Sequence, residues 1–424
     1  MSWVLLLLLV ALLLTGTPIF IAMLSATLAV TWYFVGLPLE GIMQRFISGI
    51  DKFSLLAIPL FIFSANIMRS GGLSTRIIAL SQALVGHLPG GMALTTIVAC
   101  MLFGAVSGSS PATVVAIGGI VLPALKEARY GEQFSVGLIT SSASVALIIP
   151  PSIGMIVYGV VTGTSVGDLF LAGIIPGLLL GLTFMAYAYA YAVRHRLPLA
   201  PAPSLGQVWH AFRDAGWALG VPVVIIGGIY GGVFTPTEAA AVACIYAVAV
   251  TALVYGEMNP RRLLDCAIES AMGTAQIMIL IGAASGLAWL LTIEQVPQQL
   301  SGTLLGFSES KIMILLMMNL ILIIAGMFID PTSITMIFAP IFLPICLAMD
   351  ISPIHLGLIL VVNSAIGMYT PPFGFNLFVA SGISRLSIDR MVPGVLPFIL
   401  CGIAAVLLIT FTPQLSLWLP ELLR

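Results

Sequence analysis

Long apolar runs alternate with short clusters of Gly, Ser, Thr and Pro along almost the whole chain. Residues 4–14 and 18–35 read as two membrane spans, the first short, and 53–68 read as a third. Residues 69–90 carry scattered polar side chains and predict a connector folded as a surface helix. Two uncharged arms follow, 92–106 and 112–125, joined by Ser107-Gly108-Ser109-Ser110-Pro111. Each arm is about 14 residues, or roughly 21 Å as helix, whereas a full span needs about 20 residues. Two short arms around a Gly/Ser/Pro break predict a re-entrant hairpin whose tip lies near mid-membrane. Irregular backbone persists at that depth only inside protein or beside a wet cavity. A single kinked helix is the competing reading. Residues 134–162 form a fourth span with Pro150-Pro151-Ser152 in its middle. Two prolines there remove amide donors and clash with the preceding turn, so two half-helices around an unwound linker are expected. Asp168 opens a fifth span ending by Arg194, and the Pro- and Arg-containing stretch 194–213 is a central linker.

The pattern then repeats. Pro344 lies 221 residues after Pro123, and the same offset relates Pro371-Pro372 to Pro150-Pro151, Asp389 to Asp168, Gly394 to Gly173, Pro397 to Pro176 and Ser285 to Ser64. Thr235-Pro236 follows Thr17-Pro18 at 218. Each half therefore holds five crossings and one hairpin. Five is odd, so the second half enters from the opposite face, which makes the halves inverted-topology repeats. On this count one face carries eleven basic residues (Arg69, Arg76, Lys126, Arg129, Arg194, Arg196, Arg213, Arg261, Arg262, Arg385, Arg390) and the other four (Arg45, Lys52, Lys311, Arg424). The positive-inside bias makes the first face cytoplasmic and puts both termini outside.

Composition fixes the class. The chain is 60% hydrophobic and 7% charged, against about 25% charged in soluble domains. It is an all-α polytopic membrane protein; a β-barrel would show short alternating segments. A net charge of −1 leaves no basic patch for nucleic acid. The five cysteines show no metal or disulfide spacing and read as small core residues. The N-terminus has no basic stretch or cleavage site and reads as a first span. No metalloprotease or nucleotide-binding motif occurs, which leaves an intramembrane enzyme as a remote alternative.

The polar residues at the breaks carry the candidate chemistry. The second hairpin tip is Ile329-Asp330-Pro331-Thr332-Ser333, between apolar arms 312–328 and 334–347. A carboxylate at mid-membrane costs about 2.5–3.5 kcal/mol on insertion scales unless paired or solvated. Asp330 therefore supports a cation site, or N-caps the following arm with Pro331 at the first helical position; the two roles are compatible. Hard cations take hydroxyl and carbonyl oxygens. The cation candidates are Ser107, Gly108, Ser110, Ser144 and Pro150 in the first half, and Asp330, Thr332, Gly367 and Thr370 in the second. Stretches 144–152 and 367–376 should be unwound opposite the tips and supply freed carbonyls. Helix N-termini at Pro111 and Pro331 favour an anion, with Ser109, Ser152, Ser333, Asn363 and Asn376 as substrate candidates. Packing hydrogen bonds between helices compete for Asn363, Thr370 and Asn376. Glu238 reads as a first-turn charge favoured by the helix dipole.

Gly104-Ala105-Val106-Ser107-Gly108-Ser109-Ser110-Pro111-Ala112-Thr113 resembles the signature of the large membrane subunit of TRAP (tripartite ATP-independent periplasmic) transporters. So do Ile149-Pro150-Pro151-Ser152, Leu169-Phe170-Leu171-Ala172-Gly173-Ile174-Ile175-Pro176-Gly177, Phe234-Thr235-Pro236-Thr237-Glu238-Ala239, Thr370-Pro371-Pro372-Phe373-Gly374-Phe375-Asn376-Leu377 and the tip Asp330-Pro331-Thr332. The resemblance covers essentially the whole chain. It implies a sodium-coupled, elevator-type importer of organic acids in the bacterial inner membrane. Substrate would arrive on a periplasmic binding protein, and a small four-span membrane subunit would be a separate chain. A stand-alone sodium–dicarboxylate carrier is the alternative. The implied division is a first repeat over 1–194 (scaffold spans 1–70, connector 71–90, hairpin and transport spans 91–194), a cytoplasmic linker over 195–216, and a second repeat over 217–424 (scaffold spans 217–292, hairpin and transport spans 311–424). Amphipathic connectors at 69–90 and 259–271 would brace the scaffold.

Overall fold

The structure is a computed structural model that describes residues 2–36, 38–296, 299 and 310–423. Arg424, counted above among the outer basic residues, lies outside them, as do residues 300–309. Among the described residues all regular structure is helical, and eight helices are long and apolar enough to cross a membrane.

The first half runs α1 Ser2–Leu14, α2 Ile19–Val35, α3 Leu39–Ile50, α4 Phe53–Ser70, α5 Leu73–Val85, α6 Gly91–Ser107, α7 Ser110–Glu127, α8 Glu132–Ser144, α9 Ile153–Thr162 and α10 Val166–Arg194. The second runs α11 Leu205–Tyr230, α12 Pro236–Val254, α13 Pro260–Ile293, α14 Lys311–Gly326, α15 Pro331–Ala348, α16 Pro353–Gly367, α17 Phe375–Ser384, α18 Ile388–Phe411 and α19 Gln414–Leu422. The hairpins are α6–α7 and α14–α15. The Pro-Pro breaks split each fourth span into short helices, α8 and α9, then α16 and α17. Small irregularities recur too: α2 and α12 both close on a π turn, Thr31–Val35 and Val250–Val254.

The halves differ along the edge formed by α3, α4 and α13. Residues 259–271, expected as a separate connector, are instead the start of the 34-residue helix α13. Asn259 caps it by accepting from the Arg262 amide at 2.8 Å, and Pro260 sits at its first turn. No proline or cap follows to stop it, and Gly273, Gly282 and Gly286 within it are each tolerated at a modest cost. Its counterpart in the first half is interrupted at Asp51-Lys52, giving α3 and α4. The two pieces lie end to end, antiparallel to α13. A Cβ on Gly49 would meet Ser285 Oγ at 2.1 Å. Farther along, Asn66 Nδ2 donates to Ser270 Oγ at 2.8 Å, and Arg69 pairs with Glu269.

The connector expected as a surface helix is α5. It packs against α6 and α11, with Leu73, Ile77 and Leu80 buried. Arg76 locks its start to the second half. It pairs with Glu257 at 2.7 Å and Asp214 at 3.5 Å, donates to the Gly72 carbonyl at 3.1 Å, and lies over the Tyr255 ring at 3.8 Å.

Around the hairpins the halves exchange partners. The second arm α7 packs against α17 of the other half, and the second arm α15 packs against α9. Likewise α8 packs on α18, and α10 on α16. Each hairpin is thus packed by helices of both halves.

Candidate functional site

The first tip reverses the chain in two residues. Helix α6 ends at Gly108, whose amide donates to the Gly104 carbonyl at 2.9 Å. Gly108 has φ +58°, and a Cβ there would meet the Pro151 carbonyl oxygen at 2.3 Å. Only glycine meets both conditions without strain. The tip thus rests directly on the Pro150-Pro151 break, with Ser152 Cα also close, 3.7 Å from the same point. Ser109 is extended, and its carbonyl accepts from the Thr113 hydroxyl at 2.8 Å. Ser107 Oγ lies 3.2 Å from Thr113 Oγ1 and accepts from the Ser109 amide at 3.4 Å.

Ser110 connects this tip to the other half. Asn376, at the start of α17, donates through Nδ2 to Ser110 Oγ at 2.7 Å and to the Thr140 carbonyl at 2.9 Å. A carbonyl can only accept, so the atom facing Thr140 is the amide nitrogen. Asn376 Oδ1 is then left buried with no protein partner.

The second tip is closed by a carboxylate. Asp330 is half-buried and caps α15, with Oδ2 accepting from the amides of Thr332 at 2.9 Å and Ser333 at 3.1 Å. Its Oδ1 accepts from the Ser333 hydroxyl. Pro331 occupies the first turn, where a missing amide costs nothing. The capping role of Asp330 is therefore formed, and the carboxylate sits at the tip itself. Below it, α14 meets the end of α16 backbone to backbone: a Cβ on Gly367 would lie 2.4 Å from Gly326 Cα.

The remaining candidates separate into two kinds. Ser144, Ser152 and Thr370 turn their hydroxyls back to main-chain carbonyls (Ser141, Leu147 and Ile366, at 2.7, 2.6 and 2.6 Å). Ser152 also caps α9 by accepting from Met155 N at 3.4 Å. Such residues can offer carbonyls and lone pairs to a ligand but have already spent their protons. Asn363 stands apart from the Asp330 cluster in hydrogen bonding. It donates to Asn319 Oδ1 and to the Ile359 carbonyl, both at 2.7 Å, and Thr410 Oγ1 lies 3.2 Å from the same Asn319 oxygen. Asn363 is thus part of a polar contact among α14, α16 and α18. Asn319 was not singled out from the sequence; its signal was an amide alone in an otherwise apolar arm.

Among the described residues no group of three or more His, Cys, Asp or Glu could hold a metal ion. A cation here would take mostly neutral oxygens, and the bare Asn376 oxygen is of that kind.

Residues 6–415 match the family described as "Tripartite ATP-independent periplasmic transporter, DctM component". The chain is 40% identical over 431 residues to the C4-dicarboxylate TRAP transporter large permease protein DctM of Rhodobacter capsulatus, covering 98% of each protein. It is 42% identical over 414 residues to the isethionate TRAP transporter permease protein DctMQ of Oleidesulfovibrio alaskensis, covering 96% of this chain but 64% of that longer protein. Its fold is similar to the YdaH transporter of Alcanivorax borkumensis, with a TM-score of 0.64 at 15% identity and 90% of each chain covered. Near-full-length matches of this kind, joined to two hairpins and two broken spans, place the chain in the DctM family of TRAP transporter large permease subunits, as a multi-pass membrane transporter rather than an enzyme.

Proposed function

We propose that the protein is the large inner-membrane permease of a sodium-coupled importer of small organic acids, fed by a periplasmic binding protein and assembled with a small four-span membrane subunit. The observation that carries this reading is the exchange around the hairpins. Each second arm is packed on the short helix that follows the other half's Pro-Pro break, so hairpins and broken spans form one body that can move as a unit. The relatives' names supply the cargo class, a C4-dicarboxylate in one case and isethionate in another.

In this reading sodium binds among tip hydroxyls, Pro-Pro carbonyls and the unsatisfied Asn376 oxygen. A buried acceptor without a donor costs about 1–3 kcal/mol, and a cation relieves that cost. Sodium charge and the N-terminal ends of α7 and α15 then favour the substrate carboxylate between the tips. Helices α1–α4 and α11–α13 form the scaffold against which the body slides. Each positive charge moved inward down a 100 mV potential contributes about 2.3 kcal/mol.

The test is uptake into proteoliposomes carrying both membrane subunits under an inward sodium gradient. Uptake should require the binding protein; robust uptake without it would favour the stand-alone carrier. With both termini periplasmic, a cysteine replacing Arg196 and one beside the C-terminus should label from opposite sides.

A further inference from the structure

The scaffold and the body meet at a second polar place, away from both tips. A cleft of about 490 Å³ opens between α3 and α13 on one side and α9 and α15 on the other. That volume lies in the range of small-molecule pockets, about 300–1,000 Å³. On one wall Arg45, Ser48 and Gly49 lie at i, i+3 and i+4, one stripe of α3, and Lys52 stands in the extended break just beyond its end. The facing wall is apolar and includes Val161, Met336 and Pro340.

Two cations in one cleft repel unless something answers them. Among the described residues neither Arg45 nor Lys52 forms an ion pair with a carboxylate, although both lie on the face assigned to the periplasm. Arg45 is held by an aromatic ring, its guanidinium carbon 6.0 Å from the centroid of Trp289. That contact fixes the group without consuming its five N–H donors. Lys52 donates to the Val160 carbonyl at 3.1 Å. That carbonyl belongs to the last turn of α9, where cations are favoured. This bond runs from the α3–α4 corner of the scaffold to the body proposed to move.

We propose that the Arg45–Lys52 cleft is a docking site for a small carboxylate, and that docking draws Lys52 away from Val160. The inference rests on the functional reading above and adds a station ahead of the tips. The chemistry sets the direction of the exchange. A lysine bonded to a neutral carbonyl can trade it for a carboxylate, whose charge-assisted hydrogen bond is roughly twice as strong. Arg45 supplies the planar fork for the second carboxylate oxygen or for the far end of a diacid. The apolar wall receives the carbon chain. An arriving anion thus cuts a tie between scaffold and body as it neutralises the cleft.

The probe is a cysteine at Ser48, on the same stripe, labelled with a cationic thiol reagent in the purified full-length chain. Cys100, Cys244, Cys266 and Cys346 are buried, and the unsubstituted protein controls for Cys401. About 10 mM succinate should slow labelling about threefold, the factor 1 + [L]/Kd for a site with a Kd of about 5 mM. Succinamide should give no protection, and neither should chloride at equal ionic strength. Protection should vanish in Arg45→Gln and in Lys52→Met. A cysteine pair at Asp51 and Val161, flanking the Lys52–Val160 contact and leaving both Arg45 and Lys52 in place, reports the second half of the proposal: its cross-linking should fall when succinate is present. Unprotected Ser48→Cys, protection that survives both charge-removing variants, equal protection by chloride, or cross-linking that succinate leaves unchanged would each overturn the proposal. Uptake in the reconstituted system is scored separately. Sodium-driven acid uptake without protection at Ser48→Cys discards the cleft and keeps the carrier, whereas absent uptake discards the carrier.

Discussion

The tip at Ser107–Ser110 and the tip at Asp330–Ser333 occupy matching places in the two halves but are held by different means. The first turns through a left-handed glycine, carries no charge, and has its final ligand, Asn376, in the opposite half. The second turns without a glycine and closes on its own aspartate, which takes two amides and a hydroxyl from within three residues. Internal symmetry therefore conserves the place of a tip and leaves its chemistry free. A neutral tip leaning on its neighbour is coupled to that neighbour's position. A charged tip that caps itself is locally complete and has its carboxylate available to a cation.

The sharpest way to break this contrast is at the turn. Gly108→Ala must leave the left-handed region or accept about 1–2 kcal/mol, and its Cβ must also push back Pro151. A total loss of about 3 kcal/mol is expected once overpacking is included, read as a large fall in melting temperature and in uptake. The residue 221 positions on is Ile329, half-buried and outside any glycine constraint. Ile329→Ala should cost only about 1 kcal/mol, for partial loss of a buried side chain. Equal losses at the two positions would end the argument that the tips turn differently.

Next in size is Asn376→Ala. It strips the donor from Ser110 and from the Thr140 carbonyl, both buried, for about 2 kcal/mol. Because the residue lies in the second half, the first tip should loosen: a cysteine at Ser109 should label faster while one at Thr332 does not change. Faster labelling at Thr332 alone would reverse the assignment of which tip is coupled.

The smallest stability effect, and the most specific one, belongs to Asp330→Asn. Asparagine caps about as well as aspartate, and the Ser333 hydroxyl can accept where it now donates. Melting should move little, by about 0.5 kcal/mol or less. If the charge supports sodium, the sodium concentration for half-maximal uptake should rise about fivefold per kcal/mol lost. Ser107→Ala should raise the same quantity at the first tip with unaltered expression. Unchanged sodium dependence in both would remove the tips from the sodium site.

The hairpins, the breaks and the repeat were legible because glycine, proline and charge act locally. Pro150-Pro151 forbids a continuous helix whatever surrounds it, and Asp330 followed by Pro331 specifies a cap from four residues alone. Long-range partnerships were not legible. Asn376 was readable as a polar residue beside a break, but nothing in its neighbourhood announces Ser110. Residues 39–50 passed unnoticed as a helix because Glu40, Gln44 and Arg45 interrupt the apolar pattern; the reason they fold is the flank of α13. The start of that helix misled in the opposite direction. Its charges suggested a short surface connector, and only the absence of a stop signal after residue 271 showed otherwise.

The Asn376–Ser110 bond also sets an order of events during synthesis. The two residues are 266 positions apart, and at about 5–20 residues per second the ribosome takes on the order of 13–50 s to make the intervening chain. Throughout that interval the first hairpin exists without the helix that will cover it. Ser110 and the Thr140 carbonyl then need water, or shelter in the insertion machinery, because lipid offers them no donor. A ribosome stalled within the second half would leave this exposed intermediate in the membrane, a ready substrate for quality-control proteases.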